Sequence, residues 1–177
     1  MMRSLHDPAE RQLVARIARE DRVALGLLHA AYYPRLVRLF AHLTTRLEAD
    51  AVESLIEETM FDVWQTPQSC DEADSVYAWV MGLALNQARQ AAMLDTSSSH
   101  CVTRPVDSGR DGGRSAEPDG FVYALFTPLS LEERAVVHFV YTGHGCRDIA
   151  GIMSVSCEQV TNLLTRARTA MRVLATA

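Results

Sequence analysis

The strongest constraint on this chain is the stretch from Arg147 to Arg168, where apolar residues recur at helical spacing on both sides of a short polar break. Ile149, Met153, Val155, Val160 and Leu163 let two short helices pack across a tight turn, with small Ala150 where they approach most closely. Ser156 with Gln159 three residues on forms a capping box, so the second helix is predicted to begin there. Its apolar face carries Val160, Leu163, Leu164 and Ala167, and its other face carries Glu158, Thr161, Asn162 and Thr165, followed by Arg166 and Arg168. Short polar side chains ahead of arginines suit a helix that meets base edges with its first turns and phosphates beyond. An ordinary helical hairpin shares the apolar spacing, and the rest of the chain must decide between them.

The front half is also written in helical periods. Asp7, Pro8 and Glu10 open a first helix expected to run to about Glu20. A second begins near Arg22, carries Val23, Leu27, Leu28 and Ala31, and meets Pro34, which predicts a kink or break beside Tyr32 and Tyr33 before helix resumes through Leu36, Leu39, Phe40 and Leu43. From about Glu48 to Gln65, Val52, Leu55, Ile56, Thr59, Met60 and Val63 form a buried stripe. Glu53 and Glu57 lie one turn apart outside it, as do Glu58 and Asp62, and no basic residue occurs between Arg46 and Arg89 to relieve them. Such a face is either simply solvated or a dock for a basic helix.

Thr66 to Ser75 reads as a loop, and a long helix follows from about Ser75 to Leu94, with Val76, Trp79, Val80, Leu83, Ala84 and Ala88 inward and Tyr77 and Asn86 partly exposed. Residues 95–120 are rich in glycine, serine, proline and mixed charge, and read as a flexible linker. Phe121 to Phe126 is a short apolar segment, and Thr127, Pro128 and Ser130 mark the start of a helix at Leu131 that ends near Gly143. The expected architecture is all-α: helical domains over 1–94 and 121–177 on either side of that linker.

Charge is divided along the chain. All 17 basic residues are arginine, against 22 acids, for a net charge of −5. Residues 1–94 hold 9 arginines and 13 acids, whereas 121–177 hold 5 and 4, so the acid sits away from the paired helices and points to a basic protein partner. The four cysteines form no CxxC pair and are expected to be reduced thiols. No apolar run approaches a membrane span and Met1 to Glu10 lacks a signal-peptide layout, so a cytoplasmic protein without membrane insertion is expected. His138, His144 and Cys146 lack a fourth metal ligand, and no nucleotide loop, nucleophile elbow or HExxH motif occurs. Neither an enzyme nor a metal or other cofactor is indicated.

Four segments in order complete the pattern: LVARIAREDRVALGLLHAAYYPRLVRL, AVESLIEETMFDVWQ, SVYAWVMGLALNQARQ and LSLEERAVVHFVYTGHGCRDIAGIMSVSCEQVTNLLTRARTAMR. On these the chain resembles an extracytoplasmic-function (ECF) sigma factor, the small bacterial class that keeps regions two and four. The resemblance implies docking of region two on the beta-prime coiled coil of RNA polymerase core, opening of minus-ten promoter DNA, and reading of the minus-35 element by region four beside the beta flap. It implies DNA contacts by Tyr77, Trp79, Asn86 and Arg89 and by Ser156, Glu158, Gln159, Thr161, Asn162, Thr165, Arg166 and Arg168, with polymerase docking at Glu53, Ser54, Glu57 and Glu58. An anti-sigma factor or a Ser/Thr kinase acting at Ser54 or Thr59 is the regulator it implies. A 26-residue linker spans up to about 90 Å, more than the ~55–60 Å between promoter elements.

Departures from the family pattern are specific. Ala51 and Ser54 stand where acids are usual, and Gly82, Leu85, Ala91, Met93 and Leu94 occupy common basic positions, leaving Arg89. Thr161 and Leu163 replace a usual lysine and arginine. These losses motivate an alternative: a degenerate sigma-like interaction protein that binds polymerase or a regulator without directing initiation.

Overall fold

The computed structural model describes residues 7–44, 49–98 and 128–175, and every element among them is helical. Helix α1 (Asp7–Ile17) stops short of the expected Glu20, because Glu20 adopts a left-handed φ of 63° and Asp21 turns to cap the next helix. The Asp21 carboxylate accepts from the backbone of Val23 and Ala24 while also binding Arg16, and these contacts hold its pKa down.

Helix α2 (Arg22–Leu43) runs unbroken through Pro34, so of the expected kink or break the break does not occur. An interior proline costs a helix about 3 kcal/mol. Tyr32, Leu36, Leu39 and Phe40 on either side are fully buried, at roughly 1.5–3 kcal/mol for each large apolar side chain, and their packing outweighs that cost. Pro34 itself faces solvent.

Helix α3 (Ala49–Gln65) buries Leu55, Ile56, Thr59, Met60 and Val63 as its stripe requires. The segment expected to be a loop instead contains a 3-10 helix, Pro67–Glu72, with its proline at the start and Cys70 buried beneath. Helix α4 (Val76–Ser98) starts where Ser75 caps the Ala78 N–H. It continues four residues past the expected Leu94, so the first residues of the predicted linker are helical. The remainder of that linker and the Phe121–Phe126 segment lie outside the described residues.

Helix α5 (Leu131–Tyr141) is opened by a Ser130–Glu133 capping box, and α6 (Cys146–Met153) and α7 (Cys157–Ala175) follow. Gly143, at φ 88°, supplies the left-handed turn after α5. The predicted Ser156–Gln159 capping box is present, with reciprocal bonds of 2.9 and 3.2 Å.

One hydrophobic core runs through both ends of the chain. Helix α5 lies against α2, and α6 against α4. Arg89 of α4 grips Glu132 of α5 through two bonds of 2.8 and 3.0 Å and reaches the Met153 carbonyl. Arg134 of α5 donates to the Leu43 carbonyl at the end of α2. Tyr77 of α4 stacks on His144 with ring centroids 4.8 Å apart. The approach of α4 to α6 is close enough that a Cβ on Gly82 would stand 3.1 Å from the Ile152 carbonyl oxygen.

His138 lies in this contact, 3% exposed, its ring 5.0 Å from that of His42 on α2. Its buried Nδ1 has no hydrogen-bond partner. Burial, with His42, His144 and Arg38 nearby, lowers its pKa to about 4.

Two tests follow from this packing. Because the folded chain holds His138 neutral, its stability falls as pH drops from the ordinary 6.5 toward 4, by on the order of 3 kcal/mol across that window, and levels off below. A His138→Phe variant should lose less thermal stability than wild type over the same range, as read by unfolding temperature against pH. Separately, Gly82→Arg should force α4 from α6 and raise the radius of gyration in small-angle scattering, with helical circular dichroism retained.

Candidate nucleic-acid interface

The outward face of α7 is built as its period demands. Val160 and Ala167 are buried, while Glu158, Thr161, Asn162, Thr165 and Arg168 are exposed. Ser156 and Gln159 are exposed as well, but each is committed to the capping box that fixes the helix start. The hydroxyls of Thr161 and Thr165 bond back to the carbonyls of Cys157 and Thr161, at 2.9 Å each, which leaves their methyl groups and lone pairs outward. Asn162 lies between them, able to donate and accept at once, as a base edge requires.

Arg166 differs from Arg168. Its side chain is 69% exposed, yet its Nε lies 3.0 Å from Oε1 of Glu133, a carboxylate only 8% exposed. The same Glu133 accepts the Ser130 N–H in the capping box. Arg166 therefore ties α7 to the start of α5, and removing it would leave a buried acid without its cation. Periodicity along α7 gives no sign of this, because the partner sits 33 residues away on another helix.

The α4 residues expected to meet DNA do not share one side: Trp79, Asn86 and Arg89 follow one stripe, and Tyr77 points away from it. Trp79 is 7% exposed and donates its indole N–H to Ser69 Oγ at 2.8 Å, so the 3-10 helix pins it. Asn86 is exposed and accepts a bond from Arg89. Trp79, Gly82 and Asn86 line one wall of a cleft of about 370 Å³ whose opposite wall is Gly151, Ile152 and Ser154 at the end of α6. Tyr77 is half-buried between His144 and the Arg35 guanidinium, and burial raises its pKa. Of the four, Arg89 touches α5 and the end of α6 directly, Tyr77 touches His144 in the turn between them, and Trp79 and Asn86 face α6 across the cleft.

The acidic face of α3 is present. Glu53, Ser54, Glu57 and Glu58 are exposed. Glu53 accepts a bond from the Tyr33 hydroxyl at 3.3 Å and pushes that phenol's pKa up. Asp62, predicted on the outer side, is half-buried and accepts from Gln87 at 2.6 Å, so it belongs to the α3–α4 contact. The two hydroxyls differ in access: Ser54 is exposed with its Oγ on the Asp50 carbonyl, whereas Thr59 is fully buried with its Oγ1 on the Leu55 carbonyl. Among the described residues no three histidines, cysteines or acids are grouped to hold a metal ion, and no helix is long and apolar enough to cross a membrane.

No protein-family model and no curated protein matches the chain. Solved structures do. CnrH in complex with the cytosolic domain of CnrY matches at a TM-score of 0.66 and 20% identity, over 95% of this chain and 97% of that one. The sigma factor RpoE of Bartonella quintana, in complex with the anti-sigma factor NepR, matches at 0.58 and 21% identity, over 81% and 91% respectively. Both ends of the chain fall within the longer match. The chain thus has the all-helical fold of the ECF sigma factors.

Proposed function

We propose that this protein is an ECF-type sigma factor that binds RNA polymerase core through α3 and promoter DNA through α4 and α7. The observation that carries this reading is α7 itself. A capped helix presents Thr161, Asn162, Thr165 and Arg168 outward while Val160 and Ala167 anchor it in a helix-turn-helix. The fold supplies the sigma-factor context. Residues 99–120 act as the linker between region two and region four, and the acidic α3 face, Glu53, Glu57 and Glu58, meets the beta-prime coiled coil. The beta flap receives region four. The protein works in the cytoplasm, and an anti-sigma factor is its regulator, as the RpoE–NepR complex illustrates for its own chain. Ser54, exposed where family members carry an acid, is the modification site for a Ser/Thr kinase; Thr59 is too buried to serve.

Packing between the halves bears on how such a factor is used. Arg89 is occupied by Glu132, Tyr77 by His144, and the Trp79–Asn86 wall faces α6. DNA engagement by region two therefore requires α5 and α6 to move away from α4. These same contacts favour one second reading, an interaction protein that remains closed and binds polymerase or a regulator through α3 without opening promoters.

Run-off transcription with core polymerase and genomic DNA separates the two: discrete new start sites support the sigma factor, and their absence while core binding persists supports the interaction protein. Within that assay Asn162→Ala should change promoter preference, at about 1–3 kcal/mol, or roughly 5- to 150-fold, at the base it contacts. Arg168→Ala should instead weaken all promoters alike and lower the salt slope by about one. In a pull-down, charge reversal at Glu53 and Glu57 together should abolish core binding with the fold intact, since both are exposed. Undiminished binding would show the face to be merely solvated.

A further inference from the structure

Cys146 and Cys157 begin α6 and α7, the two helices that pack across the turn. Both are exposed free thiols. The Cys146 Sγ lies 3.4 Å from the Cys157 carbonyl oxygen, so the first sulfur rests against the backbone that carries the second. That carbonyl also accepts the Thr161 hydroxyl, so the backbone at Cys157 is held in place beside the Cys146 sulfur. Two sulfurs brought together from separate helix starts, on the surface, form a different arrangement from the buried Cys70.

We infer that Cys146 and Cys157 are a redox modification site, closed by hydroperoxides into an intramolecular disulfide that staples the start of α7 to the start of α6. Both thiols are exposed at helix starts, where a peroxide can reach them. The Cys146 thiolate attacks the peroxide O–O bond; an S–O bond forms, hydroxide leaves and takes up the thiol's proton, and a sulfenic acid and one water result. The Cys157 sulfur then attacks the sulfenic sulfur, forming the S–S bond, and the sulfenic oxygen leaves as a second water with the Cys157 proton. Two thiols have lost two electrons and two protons, and one hydrogen peroxide has become two waters. A dithiol reductant reverses the step.

The closed ring spans the whole turn, from Cys146 through Val155 and the Ser156 cap to Cys157. In the reduced form α6 and α7 are held by packing, by the Val155 N–H on the Ala150 carbonyl and by the Cys146 sulfur on the Cys157 carbonyl, and the disulfide would add a covalent tie. The effect on DNA rests on the proposed role of α7 as the recognition helix; the disulfide does not.

The test uses the full chain, folded and reduced, exposed to hydrogen peroxide and then alkylated. Before alkylation the intact mass should fall by two hydrogens, and after it non-reducing peptide maps should show a Cys146–Cys157 cross-link that dithiothreitol removes. Cys101→Ser should leave the cross-link unchanged. Cys146→Ser and Cys157→Ser, each checked by circular dichroism, should lose it and accumulate sulfinic acid at the remaining sulfur. Oxidation of either cysteine without this cross-link, or pairing with Cys101 or a second molecule in its place, would overturn the site. The oxidised and reduced forms are then compared on promoter DNA with core polymerase, where at least a several-fold difference is expected. A disulfide that forms without altering binding removes the regulatory link and leaves the site. Reduced protein that never supports initiation removes the sigma reading and likewise leaves the site.

Discussion

Placement of the two ends of the chain depends on one fork. Arg89, the single cation of α4, lays two parallel bonds on Glu132 and a third on the Met153 carbonyl, so one planar group addresses both α5 and the end of α6. Gly82 and Asn86 lie on the same stripe of α4, at spacings of four and three, and at Gly82 the missing side chain permits the helices to touch. The fork is about a third exposed and contributes little energy by itself. Its part is direction: Phe139, Ile149, Ile152 and Met153 supply the apolar burial, and Arg89 fixes which faces meet.

Local signals in the sequence were sufficient wherever the structure is decided locally. The Ser156–Gln159 capping box needs only residues three apart, and the start of α7 follows directly, while Thr127, Pro128 and Ser130 were enough to place the start of α5. Buried stripes of α3 and α4 were likewise legible from period. Pro34 was not, because its local cost competes with core packing that only the folded chain contains. The 3-10 helix after Thr66 escaped notice for a related reason: its composition is that of a loop, and it is held by Trp79 reaching back to Ser69. Least legible were the partners of arginines. Glu132 and Glu133 are adjacent acids at a helix start, a place where acids are common for electrostatic reasons alone. Nothing local distinguishes them as the residues that take Arg89 and Arg166.

That adjacency has a chemical side. Glu132 serves the contact between halves, whereas Glu133 closes its own cap and anchors α7. One helix start thus organises the helix-turn-helix internally with one carboxylate and docks it with the other. Two arginines that the sequence assigns to DNA, Arg89 and Arg166, are accordingly engaged within the protein, which accords with a chain whose net charge is −5. Arg168 is an exposed cation on the outer face of α7, one turn on from Thr165.

If polymerase and promoter both bind only the separated halves, the Arg89 clasp becomes a thermodynamic link between them. Each ligand's apparent affinity is lowered by the fraction of molecules that are open, and the ligand that arrives first bears the whole cost of opening. The second then meets a protein already open and binds more tightly by the same factor. Core enzyme and DNA would bind cooperatively without touching one another, and free protein would be kept off DNA for want of its first ligand.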